Sequence, residues 1–399
     1  MIPAVRQRFN AEFTEARYQA LLNALESRVG GAIPFRIAET PCFFEGALLE
    51  RLAEAAQLMV AQLLGDAKYR AAADVMVPAC FRLATGETLP TCLQVDFGLV
   101  TLPGGEVEGR LVELQAFPSL YGFQMALAET SAAVWSGPSA ESHLRAHFLT
   151  GVGDAEYVEL LRRVLVGAHD PREVVLMEIR PDQQKTRPDF VVTEKTWGVR
   201  AIDTADVIKD GRNLFYRRDG VLTRIRRIYN RVIPDELERS GVALPFDYRD
   251  DLDVEWIGGP DWYFRISKFS LPWLSHPWVP ETHFLSDVAE WPADRDEWLL
   301  KPLFSFAGGG IVFAPTNEQL EAIPKADRHL YVLQRRVAFT PVIDTPHGAT
   351  QAELRIMMVR DGDRYRAVLP LVRMGRGRMM GVDHNKGLAW VGASAALRT

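Results

Sequence analysis

Three consecutive glycines separate two apolar runs in the stretch LLKPLFSFAGGGIVF, which spans residues 299–313. Because glycine has no side chain, its backbone N–H groups can approach phosphate oxygens, and a lysine on the preceding strand adds positive charge there. The stretch predicts a phosphate-binding strand-loop-strand hairpin, with a tight β-turn beside a surface lysine as the alternative. The candidate phosphate-binding residues are Lys301, Ser305, Gly308, Gly309 and Gly310.

Two further polar residues flank this hairpin in the sequence. Lys268 lies upstream in RISKFSLPWL, and Gln334 lies downstream in VLQRRVAF, which has the pattern of a strand. A dinucleotide fingerprint requires GxGxxG at a helix start, and a Walker loop has its lysine after the glycines, so neither motif fits. The order found here instead resembles the ATP-grasp superfamily. That resemblance implies that Lys268 and Lys301 bind the phosphates of ATP and that Gln334 meets its adenine.

The ATP-grasp resemblance also requires magnesium ligands, because the nucleotide phosphates carry more charge than two lysines can offset. Oxygen-bearing side chains occur at Asp96, Glu113 and Gln115. On a strand, positions 113 and 115 point to the same face, and a hairpin could bring position 96 alongside them. This set predicts the magnesium site, with solvated strand carboxylates as the alternative. Asp383 and Asn385, in GVDHNKG, form a second candidate pair.

These metal-ligand candidates precede the lysines, whereas the ordinary ATP-grasp order places the ligands after the glycine loop. A D...E.N...P element upstream of the lysines resembles the circularly permuted ATP-grasp proteins, which include glutathionylspermidine synthase. Gln115 stands where that family has asparagine. The resemblance covers most of residues 90–399 and is weakest in residues 1–90.

The permuted family implies an ATP-dependent carboxylate-amine ligase that forms an amide through an acyl phosphate and releases ADP. ATP and Mg²⁺ would be the cofactors. The substrates would be a small carboxylate, of amino-acid or small-peptide type, and an amine. An ATP-dependent phosphotransferase acting on a small molecule and a nucleotide-binding module without catalysis are the alternatives, and the sequence names neither substrate.

Two arginines lie inside apolar, strand-like runs near the end of the sequence, Arg355 in AELRIMMV and Arg373 in LPLVRMG. A buried arginine usually needs an anionic partner. The permuted family has similar elements in this region, which implies that both arginines face phosphate or the developing acyl phosphate. A structural salt bridge to Glu353 or Asp344 is the alternative.

Basic residues in the middle of the chain are weaker candidates for a substrate site. Lys185 and Arg187 lie in the polar segment EIRPDQQKTRPDF, and Arg231 lies near the end of a predicted strand. They could bind a substrate carboxylate, although solvated loop charges explain them as well. His143 and His147 have helical spacing suited to a metal, but no third ligand is near in sequence, so we interpret them as an exposed helix face.

Composition excludes several classes of protein. The 399 residues are 47% apolar and 25% charged, with 46 basic against 52 acidic residues and no basic stripe suited to nucleic acid. No apolar run is long enough to span a membrane. The three cysteines, Cys42, Cys80 and Cys92, have no CxxC spacing and suit reduced thiols in the cytoplasm, the expected location. The oligomeric state is not predicted.

The hydrophobic patterns predict a mixed α/β (α+β) protein in which an ATP-grasp fold has the circularly permuted order. Residues 1–165 would form a helical region followed by the metal-binding strand hairpin, with helices over 12–66 and 140–166 and the hairpin from residue 91. Residues 170–255 would form a small pre-ATP-grasp-like α/β domain. Residues 256–399 would supply the nucleotide-binding portion.

Overall fold

A computed structural model describes residues 1–137, 143–305, 308–381, 385 and 387–399. In this part of the chain the helices include four before the first strand, in agreement with the helical pattern of the first segment. The α-helices are α1 (Pro3–Glu12), α2 (Glu15–Val29), α3 (Gly46–Gly65), α4 (Ala67–Val75), α5 (Tyr121–Trp135), α6 (Asp154–Leu165), α7 (Arg187–Trp197), α8 (Pro234–Ser240), α9 (Trp262–Arg265) and α10 (Asn317–Glu321).

Strands occur between and after these helices, which confirms a mixed α/β protein. They are β1 (Cys92–Thr101), β2 (Val107–Gln115), β3 (Arg145–Ala146), β4 (Val174–Glu178), β5 (Arg200–Asp203), β6 (Ile208–Asp210), β7 (Asn213–Arg218), β8 (Val221–Ile225), β9 (Arg227–Asn230), β10 (Glu255–Ile257), β11 (Thr282–Phe284), β12 (Trp298–Pro302), β13 (Val312–Phe313), β14 (Tyr331–Arg335), β15 (Gln351–Asp361), β16 (Arg364–Gly375), β17 (Gly392–Ala395) and β18 (Leu397–Arg398).

A five-stranded antiparallel sheet joins distant parts of the sequence in the order β17-β16-β15-β1-β2. The predicted hairpin of β1 and β2 is confirmed, and β1 also pairs with β15 so that Asp96 lies opposite Arg355. Odd-numbered residues of β1 pack into an apolar core with α3, whereas the even-numbered Gln94, Asp96 and Gly98 face the other side of the sheet. That second face is the floor of the cleft described below.

The fold also has two four-stranded sheets, and the one that carries Lys301, called the lysine sheet, borders the cleft described below. The lysine-glycine segment forms β12 and β13, paired antiparallel, within a sheet of order β11-β14-β12-β13, which confirms the predicted strand-loop-strand hairpin. A parallel sheet of order β10-β9-β4-β5 lies within the middle of the chain, with the small antiparallel sheet of β6, β7 and β8 beside it. Parallel strands joined by helices are the α/β arrangement expected there.

Local signals explain where the early helices begin and end. Thr14 accepts a hydrogen bond from the backbone N–H of Arg17 at the start of α2, and Gly30 ends the helix in the left-handed conformation at φ 71°. Tyr18, Leu21 and other residues at three- and four-residue spacing form its buried face. This face packs into the same core as α5, α6 and α7, so the first helices are integral to the fold.

The helix predicted over residues 140–166 is wrong in its first part. Residues 138–142 lie outside the described residues, β3 and an extended segment follow, and α6 begins only at Asp154. His143 and His147 therefore do not share a helix face: His143 is exposed, and His147 is buried, where burial lowers the pKa of its imidazole. In the described ranges, no helix combines the length and the apolar character that crossing a membrane requires.

Candidate active site

Residues of the five-stranded sheet and of the sheet that carries Lys301, together with residues around α5, α7 and α9, line a cleft of about 740 Å³. Its volume is in the range typical of sites for small molecules. Arg187, Arg231, Asp96, Gly309 and Gly310 are absent from the described lining. The predicted site residues that line the cleft are Glu113, Gln115, Lys185, Lys268, Lys301, Ser305, Gly308, Gln334, Arg355 and Arg373.

The two lysines lie beside the glycine loop with their ammonium groups buried. Lys268 Nζ donates to the backbone oxygen of Ser305 at 2.8 Å and contacts its hydroxyl at 3.3 Å. Lys301 Nζ is 3.4 Å from the backbone oxygen of Val112 on β2. Burial lowers the pKa of both lysines, to about 8 for Lys301, and the nearby Glu113 carboxylate opposes this shift. Neither forms an ion pair with a described residue, so both are suited to an anionic ligand.

A β-bulge accounts for the contact between Lys301 and β2. Asp96 pairs with Glu113, but the next residue of β1, Phe97, pairs with Leu111, so Val112 has no partner in the ladder. Bulges leave one residue unpaired and are common beside active sites. Here the bulge presents the carbonyl of Val112 to Lys301.

Gln334 lies at the centre of the lysine sheet. It occupies β14, opposite Leu299 of β12 and Thr282 of β11. The residue is 1% exposed, and its side-chain nitrogen has no hydrogen-bond partner among the described residues. A buried donor without a partner is costly, so an acceptor atom on a bound ligand would stabilise this position.

The structure places Asp96 within a buried ion-pair network. The guanidinium of Arg355 binds it through two nitrogens, each 2.6 Å from a carboxylate oxygen, and Arg373 lies 3.3 Å away. Burial opposes the charge of Asp96, but the two arginines together hold the pKa of its carboxyl below the ordinary value. Asp96 therefore serves first as the counterion of these arginines.

The alternative interpretation of the arginines, a structural ion pair, also has support in the structure. Arg373 pairs with Glu353, as anticipated, whereas the partner of Arg355 is Asp96 and not Asp344. Arg355 donates its remaining nitrogen to Gln94 Oε1 at 2.8 Å. Burial raises the pKa of Glu353, opposed by Arg373. Both arginines still line the cleft beside Lys301 and Glu113.

Of the two carboxylates predicted to bind a metal ion, Asp96 is bound by Arg355, and Glu113 is the one that remains available. Its side chain is 30% exposed within the cleft, and its oxygen lies 3.9 Å from Arg355 Nη2. Gln115 instead contacts Gln94 and Arg355. No group of three or more His, Cys, Asp or Glu side chains suited to a metal occurs within the described ranges. Mg²⁺ often binds through one or two carboxylates together with substrate phosphates and water, so Glu113 fits that donor pattern.

Arg187 and Arg231, predicted as weak substrate residues, are absent from the described lining, although Arg231 packs against Phe117, which lines the cleft. Arg231 is buried, donates to Asp189 at 2.9 Å and packs over the rings of Phe117 and Phe190, so its position is structural. Arg187 is 3.5 Å from Asp182 near the surface. Of the three, Lys185 alone is in the described lining.

Asn385 does not have the environment of a metal ligand. Its side-chain oxygen accepts from the backbone N–H groups of Arg376 and Gly377, and its nitrogen donates to the carbonyls of Met379 and Gly381. The other member of the pair, Asp383, lies outside the described residues. Asn385 thus fixes the segment 376–381, which forms one wall of the cleft.

We expect Asn385→Ala to lower the free energy of unfolding by about 1–3 kcal/mol, because buried backbone groups of segment 376–381 would lose their partners. If the protein uses magnesium, the concentration giving half-maximal activity should stay unchanged. Thermal unfolding and a magnesium titration measure the two effects. A raised magnesium requirement at wild-type stability would restore Asn385 as a ligand.

Sequence reasoning missed two parts of the site. The first is Glu353, predicted only as a salt-bridge partner, which lies two residues before Arg355 and therefore on the same face of β15. The second part is Met379, whose methyl group lies so close to Gly308 that a side chain there would clash with it. The strand alternation could have indicated Glu353, but no sequence signal pointed to Met379.

Comparison with known proteins identifies a similar fold. No protein-family model matches the chain, and no curated protein matches it. Among solved structures, the chain is similar to a glutathione synthetase-like effector from Globodera pallida in its apo form. The TM-score is 0.59 at 11% sequence identity, and the match covers 96% of each chain. At this identity the similarity concerns the fold.

Proposed function

We propose that the protein is an ATP-dependent carboxylate-amine ligase. The observation that carries the proposal is the convergence of Lys268 and Lys301, both buried and without an ion-pair partner among the described residues, with Gly308 and the open carboxylate of Glu113. Two buried cations beside a glycine loop suit a triphosphate, and a nearby carboxylate suits its magnesium ion. The unpartnered amide of Gln334 suits the adenine.

In the proposed reaction, an oxygen of the substrate carboxylate attacks the γ-phosphorus of ATP, the bond to the bridging oxygen breaks, and ADP leaves. An amine then attacks the acyl phosphate carbon, inorganic phosphate leaves, and the amine nitrogen loses a proton. Bound magnesium would neutralise phosphate charge. The lysines would position the phosphates, and Arg373 at the cleft floor would stabilise negative charge on the acyl phosphate.

The circularly permuted ATP-grasp arrangement is part of this proposal. Its support is the pairing of β1 with β15 and the contact between Lys301 and Val112, which join an early hairpin to the end of the chain. The fold similarity to a glutathione synthetase-like effector agrees with it. We propose Asp96 as a second, weaker magnesium contact and Gln115 as a third, because both lie beside Glu113.

ADP release in the presence of ATP, magnesium and a panel of amino acids or small peptides tests the ligase proposal. Mass spectrometry of the products should reveal an amide and one phosphate for each ADP. A phosphorylated product without an amide would identify a phosphotransferase. ATP binding without turnover of any substrate would identify a nucleotide-binding module.

Glu113→Gln should raise the magnesium concentration that gives half-maximal ADP formation by about tenfold or more, because the neutral amide is a weaker ligand than the carboxylate. The fold should be retained, since Glu113 is 30% exposed. Glu106→Gln, in the same hairpin and 65% exposed, is the matched control. Equal magnesium dependence in both variants would remove Glu113 from the metal site.

A further inference from the structure

Positions along β1 give the order in which groups lie along the floor of the cleft. Three even-numbered residues on one face mark it: Gln94, Asp96 and Gly98. A side chain at Gly98 would meet the ring of Phe339 at 2.6 Å, and Phe339 belongs to the cleft-lining segment that follows β14 of the lysine sheet. The four residue steps from Gln94 to Gly98 span about 13 Å. The nucleotide end and the Gln94 end are therefore separated by the charged centre at Asp96.

The Gln94 end of the cleft adjoins the segment between β2 and α5. Gln94 donates its side-chain nitrogen to the backbone oxygen of Ser119 at 2.7 Å. We call the cleft residues gathered here the apolar wall. The apolar wall consists of Phe35, Phe117, Leu120 and Phe123.

The apolar wall combines two parts of the chain, residue 35 and residues 117–123, and one ring from each part packs against the other. The rings of Phe35 and Phe123 are 5.2 Å apart in an edge-to-face arrangement. Phe117 and Phe123 are buried, whereas Phe35 and Leu120 are half-buried. Half-buried apolar surface inside a cleft gains free energy when a ligand covers it, at about 25 cal/mol per Å².

Leu120 reaches this position through a strained backbone. Its φ of 65° lies in the left-handed region, which costs a residue with a branched side chain about 1 kcal/mol. The conformation is held by Asp189, which accepts from the N–H of Leu120 at 3.1 Å and of Phe123 at 2.9 Å. Arg231 in turn binds Asp189. A buried ion pair thus fixes a leucine side chain in the cleft lining, where glycine would fit the backbone better.

From this arrangement we infer that the substrate whose carboxylate is activated carries a large apolar group, aromatic or branched aliphatic, which packs on the apolar wall. This inference rests on the proposed ligase function. It follows from the order along the floor, because a carboxylate at the charged centre has the nucleotide on one side and the apolar wall on the other. A charged side chain placed against the faces of these rings would lose its hydration, which disfavours it relative to an apolar group.

Direct titration of amino acids into the full chain tests the inference separately from catalysis. L-phenylalanine and L-leucine should bind at least tenfold more tightly than glycine or L-glutamate. Leu120→Ala and Phe35→Ala, in two different segments, should each weaken L-phenylalanine binding about tenfold, the discrimination typical of a few methylene groups. Leu222→Ala, at a site 51% exposed on β8, should leave it unchanged.

The outcomes separate the two proposals. Tight binding of L-glutamate or glycine by a protein that also binds ATP would overturn the inference and leave the ligase proposal standing. Preference for apolar amino acids without any ATP binding would overturn the ligase proposal and leave the preference for an apolar substrate standing. Wild-type L-phenylalanine affinity in both folded wall variants, checked by thermal unfolding, would also overturn the inference.

Discussion

Lys301→Met should reduce ADP formation by about 10²–10³-fold and leave the fold intact. The loss is that expected when one preorganised charge is removed from the transferring phosphoryl group. Methionine retains an apolar chain of similar length, and Lys301 is 4% exposed and has no ion-pair partner among the described residues. Removing a buried, poorly compensated cation should therefore leave stability equal or higher. Lys325→Met, at an exposed site, is the control.

The pH dependence of stability provides a second measurement on Lys301→Met. Folding lowers the pKa of Lys301 to about 8, so between pH 8 and the ordinary lysine value the unfolded chain holds a proton that the folded protein has released. Stability then rises with pH across this window. In denaturant unfolding, this contribution should make the free energy of unfolding higher at pH 10 than at pH 7.5 in the wild type. The contribution should be absent from the variant. Unchanged activity in the variant would exclude Lys301 from the phosphate site.

Asp96→Asn should lower the free energy of unfolding by about 3–5 kcal/mol, because Arg355 would be left buried without its carboxylate partner. The effect should exceed that of Asp251→Asn, which removes one partner of an exposed pair with Arg212 and should change stability by less than about 0.5 kcal/mol. Denaturant unfolding of both variants measures the difference.

The stability contribution of Asp96 also has a defined pH window. Because the two arginines hold its pKa below the ordinary value, the contribution is complete above that ordinary value and is lost as pH falls through the folded pKa. In Asp96→Asn, the free energy of unfolding should lack this acid-sensitive contribution. Wild-type stability combined with a strongly raised magnesium requirement would instead show that metal binding, and not neutralisation of the arginines, is the main role of Asp96.

The sequence by itself determined the local elements of this protein. Alternating apolar residues identified the hairpin of β1 and β2, and the lysine-glycine stretch identified β12 and β13 with the turn between them. These depend on side-chain periodicity and on glycine conformations, both of which act over a few residues. The same local rules placed Glu113 and Gln115 on one face of a strand.

Only the tertiary structure decided what each polar side chain contacts. Asp96 and Arg355 meet because β1 pairs with β15 in one particular register. If one strand were shifted by one residue, the two side chains would lie on opposite faces of the sheet. The bulge at Val112 and the backbone contacts of Asn385 likewise depend on long-range pairing. A carboxylate on a strand can bind a metal or an arginine, and the choice depends on neighbours that are distant in sequence but adjacent in the sheet.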